Sequence, residues 1–326
     1  AHNLLGFVSH AMIGCEAART LAKGQPTATR HLLIIQALYQ VVFDLHDPCL
    51  SPFELLPVKG FADKSVEDNL HWLRIDVRMG EKLRADHRIV ALERVLPRAQ
   101  LVDLLLDIGL EGMITDDHTI ISPQLVLGMM EITGWERGFE MLRGTLRYSA
   151  SFHRSFAPYD RALALLKHYA LETGAPVRAF QPELVQPLRE RFHAAAPHDR
   201  AEIAARALAH EGVSPETIVA TAMLAGTDMF LMTTPVPHED FDAVSREVAH
   251  IHINTSSNGV RAMLARMSPR TQALAAIQIG NLLERGPSVL NEQFEFVPFV
   301  PARPYPYVED VAALRDKSSA YLLDAL

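Results

Sequence analysis

The chain has 326 residues, 48% hydrophobic and 21% charged, which suits one large globular domain or two ordinary ones and excludes a disordered chain. Against 31 basic residues stand 39 acidic ones; the net charge of −8 argues against nucleic acid or an anionic membrane surface as main partner. No apolar run reaches the roughly 18–20 residues of a membrane helix, and the two cysteines, Cys15 and Cys49, can build neither a disulfide framework nor a Cys-x-x-Cys zinc site.

Helical periodicity dominates and alternating strand patterns are nearly absent. In chain order the apolar spacing predicts helices over Thr29–Asp44, Leu96–Leu110, Trp135–Tyr148, Arg161–Leu171, Ala201–His210, Pro215–Phe230 and Arg270–Glu284. Ser214-Pro215-Glu216 reads as an N-cap, a proline at the first helical position and an early acid, and Gly24, Gly134, Gly174 and Gly286 stand where helices should stop. His46–Asp63, with Pro48, Pro52, Pro57 and Gly60, reads as a long surface crossing, and Ser149–Tyr159 as a shorter one. Asn291–Tyr307 is too rich in proline for helix and too aromatic to float in water. It is expected to be an extended arm laid over the helices or over a second subunit, with a closing helix from Val308 to Leu326. No linker cuts the chain, so residues 1–326 are expected to form a single all-α domain. The default setting is cytoplasmic, although the opening Ala-His-Asn, without methionine, is compatible with a removed leader.

Three stretches, near 8–45, 116–150 and 250–285, read as copies of one helix-pair module, each led by a histidine: His10, His118 and His252. A small residue follows four places later (Gly14, Ser122, Ser256), and a carboxylate or carboxamide six places later (Glu16, Gln124, Asn258). The first and third copies align without a gap, Arg19 falling on Arg261, Thr29 on Thr271 and Gln36 on Gln278. The second keeps the histidine, small and polar positions but has Leu127 where the arginine would be. Helix-pair repeats ordinarily stack into a solenoid or bundle, in which a lone histidine is a capping-like residue. Three imidazoles at one repeat position instead suggest convergence on one metal ion.

Neutral imidazole is a common ligand for iron, zinc, copper and nickel. A small residue one turn along the same face leaves room for a bound ligand. The residue six places on points elsewhere, so Glu16, Gln124 and Asn258 are candidates for orienting a neighbouring ligand and not for binding metal beside their own histidine. Asp116 and Asp117 could add a carboxylate, although an N-cap role is the simpler reading. His87 meets the short pattern without the downstream agreement. His2 and His250 lie near the motif histidines but have no repeat partner, and His153 and the Lys167-His168 pair sit in the middle of the chain as remoter candidates. Met12, Met129, Met130, Met223 and Met263 are candidates for an adaptable apolar pocket, against the ordinary core reading.

Around these histidines the chain resembles the questin oxidase-like proteins and their bacterial helical relatives. The likeness runs through Ser9-His10-Ala11-Met12 to Asp47, Asp117-His118 to Gly134-Trp135-Glu136-Arg137 and on to Leu146, and Gly212-Val213-Ser214-Pro215-Glu216 to Arg261. It implies a non-haem Fe(II) oxygenase, without flavin, haem or nicotinamide, acting with O2 on an aromatic or polyketide-like small molecule. His10, His118 and His252 match the histidine-led segments. Relatives often carry a lysine after the second motif histidine, where this chain has Thr119-Ile120-Ile121; a lysine ligand would have to come from elsewhere, Lys167 first, with His168 beside it. Two other readings stay open: a zinc hydrolase at the same histidines, and a helical-repeat scaffold that binds a protein and catalyses nothing. Homo-oligomerisation would run through the 291–307 arm.

Overall fold

The computed structural model describes residues 10–46, 57–61, 65–151, 155–175, 178–231 and 241–285, and every regular element among them is a helix. In order these are α1 (His10–Leu21), α2 (Thr27–His46), α3 (Val66–Arg78), α4 (Lys82–Glu93), α5 (Arg98–Gly112) and α6 (His118–Ser149). Then follow α7 (Ala157–His168), α8 (Pro182–Ala194), α9 (Arg200–Arg206), α10 (Pro215–Leu231), α11 (Phe241–Met263) and α12 (Pro269–Leu282), with short 3-10 or π turns after α8, α9, α11 and α12. The chain divides at Leu290, and the aromatic arm and closing helix expected beyond it lie outside the described residues. Among the described residues no helix is long and apolar enough to cross a membrane.

Local chemistry sets the helix starts. Two use the same Ser-Pro-x-Thr device: Ser214 Oγ accepts the Thr217 amide at 3.1 Å and Ser268 Oγ accepts the Thr271 amide at 3.3 Å. In each case proline stands at the first helical position, where no N–H is needed. Ser65 starts α3 by accepting the Asp68 amide at 3.0 Å and donating its own hydroxyl to the Asp68 carboxylate at 2.9 Å. Three helices escape the periodicity reading: α3, α4 and α8. Their charged residues outnumber a narrow apolar stripe, and α8 buries only Leu188 and Phe192.

At the centre lies α12, buried on every side from Ala273 to Leu282 and packed against α5, α7, α9 and α10. A helix apolar all round belongs in an interior, and the amide nitrogens of its two buried carboxamides find acceptors there. Gln278 Nε2 donates to the Leu110 carbonyl at 3.1 Å, and Asn281 Nδ2 to the Pro158 carbonyl at 2.7 Å. Its repeat counterpart α2 has the opposite fate. It packs on α1 and leaves Leu32, Ile35, Leu38 and Tyr39 exposed, together with Gln36, the residue aligned with buried Gln278.

The copies therefore do not fold as equal helix pairs. What they share is the histidine-bearing helix: α6 packs against both α1 and α11. Even there the registers differ. His10 and His118 begin their helices, whereas α11 starts at Phe241 and His252 sits in its middle, because residues 241–251 supply helical sequence ahead of the motif. Within α6, Gly134 breaks the helix with φ 76° and ψ 172°, a conformation open to glycine alone. Gly134 thus ends one helix and releases Trp135 to start the next, as its sequence position suggested.

Candidate metal centre

Two of the three motif histidines meet at one carboxylate. His118 Nδ1 lies 3.1 Å from Asp117 Oδ1, and His252 Nε2 approaches the same oxygen at 3.7 Å from α11. Thr255, one turn after His252, donates its hydroxyl to Asp117 Oδ2. Asp117 is buried, and its Oδ1 has no hydrogen bond of good geometry although two ring nitrogens face it. The side chain of His10 lies outside the described residues; its helix, α1, packs on α6.

The N-cap reading of the aspartates divides between them. Asp116 Oδ1 accepts the His118 backbone N–H and also faces His118 Nδ1, both at 3.0 Å. Tyr148 Oη donates to Asp116 Oδ2 at 2.6 Å from the far end of α6. Asp117, at the cap position proper, caps nothing with its side chain. It is free of the capping duty because Asp116 performs it.

Electrostatics follow from this packing. Burial alone would raise the Asp116 carboxyl, but hydrogen bonds from His118 and Tyr148 hold it at about 2. Burial likewise works against the Asp117 anion, and His118 and Thr255 overcome it, leaving that carboxyl below its usual range. His118 responds in the opposite sense: burial would lower it, yet the two carboxylates push it up to about 9. Both carboxylates thereby favour the protonated form of His118.

The donor set fits a metal ion equally well. Ligand atoms about 2.0–2.2 Å from one ion stand ~3–3.5 Å apart; His118 Nδ1 lies 3.0 Å from Asp116 Oδ1 and 3.1 Å from Asp117 Oδ1, and His252 Nε2 lies 3.7 Å from Asp117 Oδ1. Asp116, Asp117 and His118 each bring a donor atom within 4.8 Å of the others. Ser122 and Ser256 are buried, yet their hydroxyls make no hydrogen bond among the described residues, and a side-chain carbon at Gly14 would meet open space. Buried hydroxyls without partners are uncommon and call for a ligand or water.

Glu16, Gln124 and Asn258 do converge, but on a cavity and not on the histidines. All three line an open cavity of about 480 Å³ between α1, α6 and α11, and Thr255 joins it to Asp117. Glu16 accepts two hydrogen bonds from Arg19 at 2.6 Å, and Asn258 accepts one from Arg261 at 3.2 Å. A side-chain carbon at Gly128 would sit 2.7 Å from Glu16 Oε1, so glycine is what lets the carboxylate lie on α6. Met263 lines this cavity, and Met130 lines an adjoining one of about 490 Å³ that shares Glu131 and Arg266 with it. Lys167 and His168 are not brought to the site: both are exposed at the end of α7, which packs on α5, α9 and α12.

Comparison with family models, with curated proteins and with solved structures finds no match for this chain.

Proposed function

We propose that this chain is a metal-dependent oxygenase in which His118, His252 and Asp117 hold a non-haem Fe(II) ion, with His10 of α1 as a further ligand. The observation that carries the reading is the approach of His118 Nδ1 and His252 Nε2 to one buried, under-bonded Asp117 oxygen. Two imidazoles and one carboxylate, with other positions open, form the ligand set characteristic of non-haem Fe(II) oxygenases. This agrees with what the questin oxidase-like resemblance implies, with a carboxylate added to the histidines. When bound, the ion supplies dioxygen activation.

The chain's own residues do the rest. Asp116, braced by Tyr148, fixes the start of α6 and the ring of His118. Thr255 orients Asp117 through its second oxygen. The adjoining cavity offers a small aromatic molecule the apolar surfaces of Ile121, Leu125 and Met263, at one end of which stands Thr255.

Elemental analysis of protein purified without chelator tests this. About one iron per chain is expected, falling to background in Asp117→Asn and His118→Ala, with oxygen uptake toward aromatic compounds restored only by iron. Stoichiometric zinc without iron-restorable activity would replace the oxygenase with a hydrolase at the same residues. A metal-free protein, unaltered in Tm by either substitution, would leave the binding scaffold.

A further inference from the structure

The cavity beside the aspartate–histidine cluster is not electrically neutral, and the repeat explains why. In the first copy Arg19 is matched three residues earlier by Glu16, which receives both of its hydrogen bonds at 2.6 Å. In the third copy the equivalent arginine is Arg261, and the equivalent acid has become the amide Asn258, bonded to it once at 3.2 Å. The third cavity guanidinium, Arg266, pairs with Glu131 at 3.3 Å, and Arg19 lies 3.7 Å from the same carboxylate. Three guanidiniums therefore face two carboxylates. Among the described residues Arg261 forms no ion pair, so the surplus positive charge is at that residue.

We propose that this cavity binds an aromatic carboxylate, its anionic group held by Arg261 and the amides of Asn258 and Gln124, and its ring directed along α6 and α11 toward Thr255. A guanidinium offers a planar fork that matches a carboxylate with two parallel hydrogen bonds. Both amides line the cavity and can donate beside it. From Thr255 to Arg261 the helix rises ~9 Å, about the length of a bicyclic aromatic acid. Ile121, Leu125 and Met263 supply the apolar wall between the two ends. The substrate class follows: an anionic aromatic compound whose end remote from the charge lies nearest the metal-binding residues. This inference rests on the metal-centre reading for its catalytic meaning but not for binding.

The experiment uses 2-naphthoate and its uncharged methyl ester as probes, titrated into the purified full chain with and without chelator. Wild type is expected to bind the acid at least tenfold more tightly than the ester. Arg261→Gln, at an exposed position, should erase that preference without moving Tm. Asn258→Glu should erase it too, by rebuilding in the third copy the internal pair that Glu16 and Arg19 make in the first. Equal binding of acid and ester by wild type, a preference that survives Arg261→Gln, or no binding of either probe each overturns the proposal. A chain that holds no metal yet prefers the acid sinks the oxygenase reading alone, and one that holds iron but shows no preference sinks this inference alone.

Discussion

Asp228 on α10 shows how one buried charge can tie two helices. Arg189 and His193, a turn apart on α8, both bond its carboxylate, His193 Nε2 at 2.9 Å. Burial opposes the anion, and these two donors more than offset it, so the Asp228 carboxyl lies below its usual range. A carboxyl depressed in the folded state adds stability above its unfolded value of about 3.9 and loses it as pH falls through the folded value. Asp228→Asn should therefore lower the urea midpoint at pH 7, and the gap from wild type should close as pH falls from about 4 toward the folded value. A gap that stays constant with pH would show the charge to be irrelevant. At the same scale, Asp117 marks the limit of sequence reading. Its type and neighbours fit an N-cap as well as a ligand, and the approach of His252 and Thr255 from α11, far along the chain, is visible only in the fold. A repeated spacing singled out His118 and His252 among 15 histidines, and the fold brings both to Asp117.

At the scale of elements, Gly134 decides where the C-terminal half of α6 points. Its φ of 76° and ψ of 172° turn the chain so that Trp135 can donate its indole N–H to Glu93 on α4 at 2.9 Å. The same turn stacks Trp135 with Phe139 and brings Arg98 of α5 over the Trp135 ring. Gly134→Ala places a side chain in a region only glycine occupies freely, at a cost of about 1–3 kcal/mol. The expected result is a matching drop in denaturant midpoint with unchanged helicity by circular dichroism; an unshifted midpoint would mean that α6 can run straight through. The break was readable because glycine punctuates helices for a local reason. The helices α3, α4 and α8 were not, since their stability comes from packing and from ion pairs across elements, such as Arg74 of α3 with Asp107 of α5. No window of local sequence contains both partners. The helix-pair repeat was half legible for the same reason: local pattern specifies α2 and α12 alike as helices, and the partners each meets decide that one is buried and the other exposed.

On the scale of the whole molecule, the proposed ligands come from three places in the chain, and this links metal to folding. α11 and α6 belong to the packed body, whereas α1 and α2 form a hairpin attached through α1 to α6. If His10 of α1 joins His118, His252 and Asp117 around one ion, metal binding closes a loop across more than half the chain. A ligand that binds only the folded state stabilises it in proportion to the logarithm of its concentration. Local opening of the hairpin would then be suppressed along with global unfolding. Hydrogen exchange should show α1 amides protected by Fe(II) and released by chelator, while the α12 amides stay protected in both states. His10→Ala should leave metal bound to the remaining ligands and abolish the metal-dependent protection of α1. Equal α1 exchange with and without metal in the wild type would remove His10 from the ligand set while leaving the His118–Asp117–His252 cluster intact.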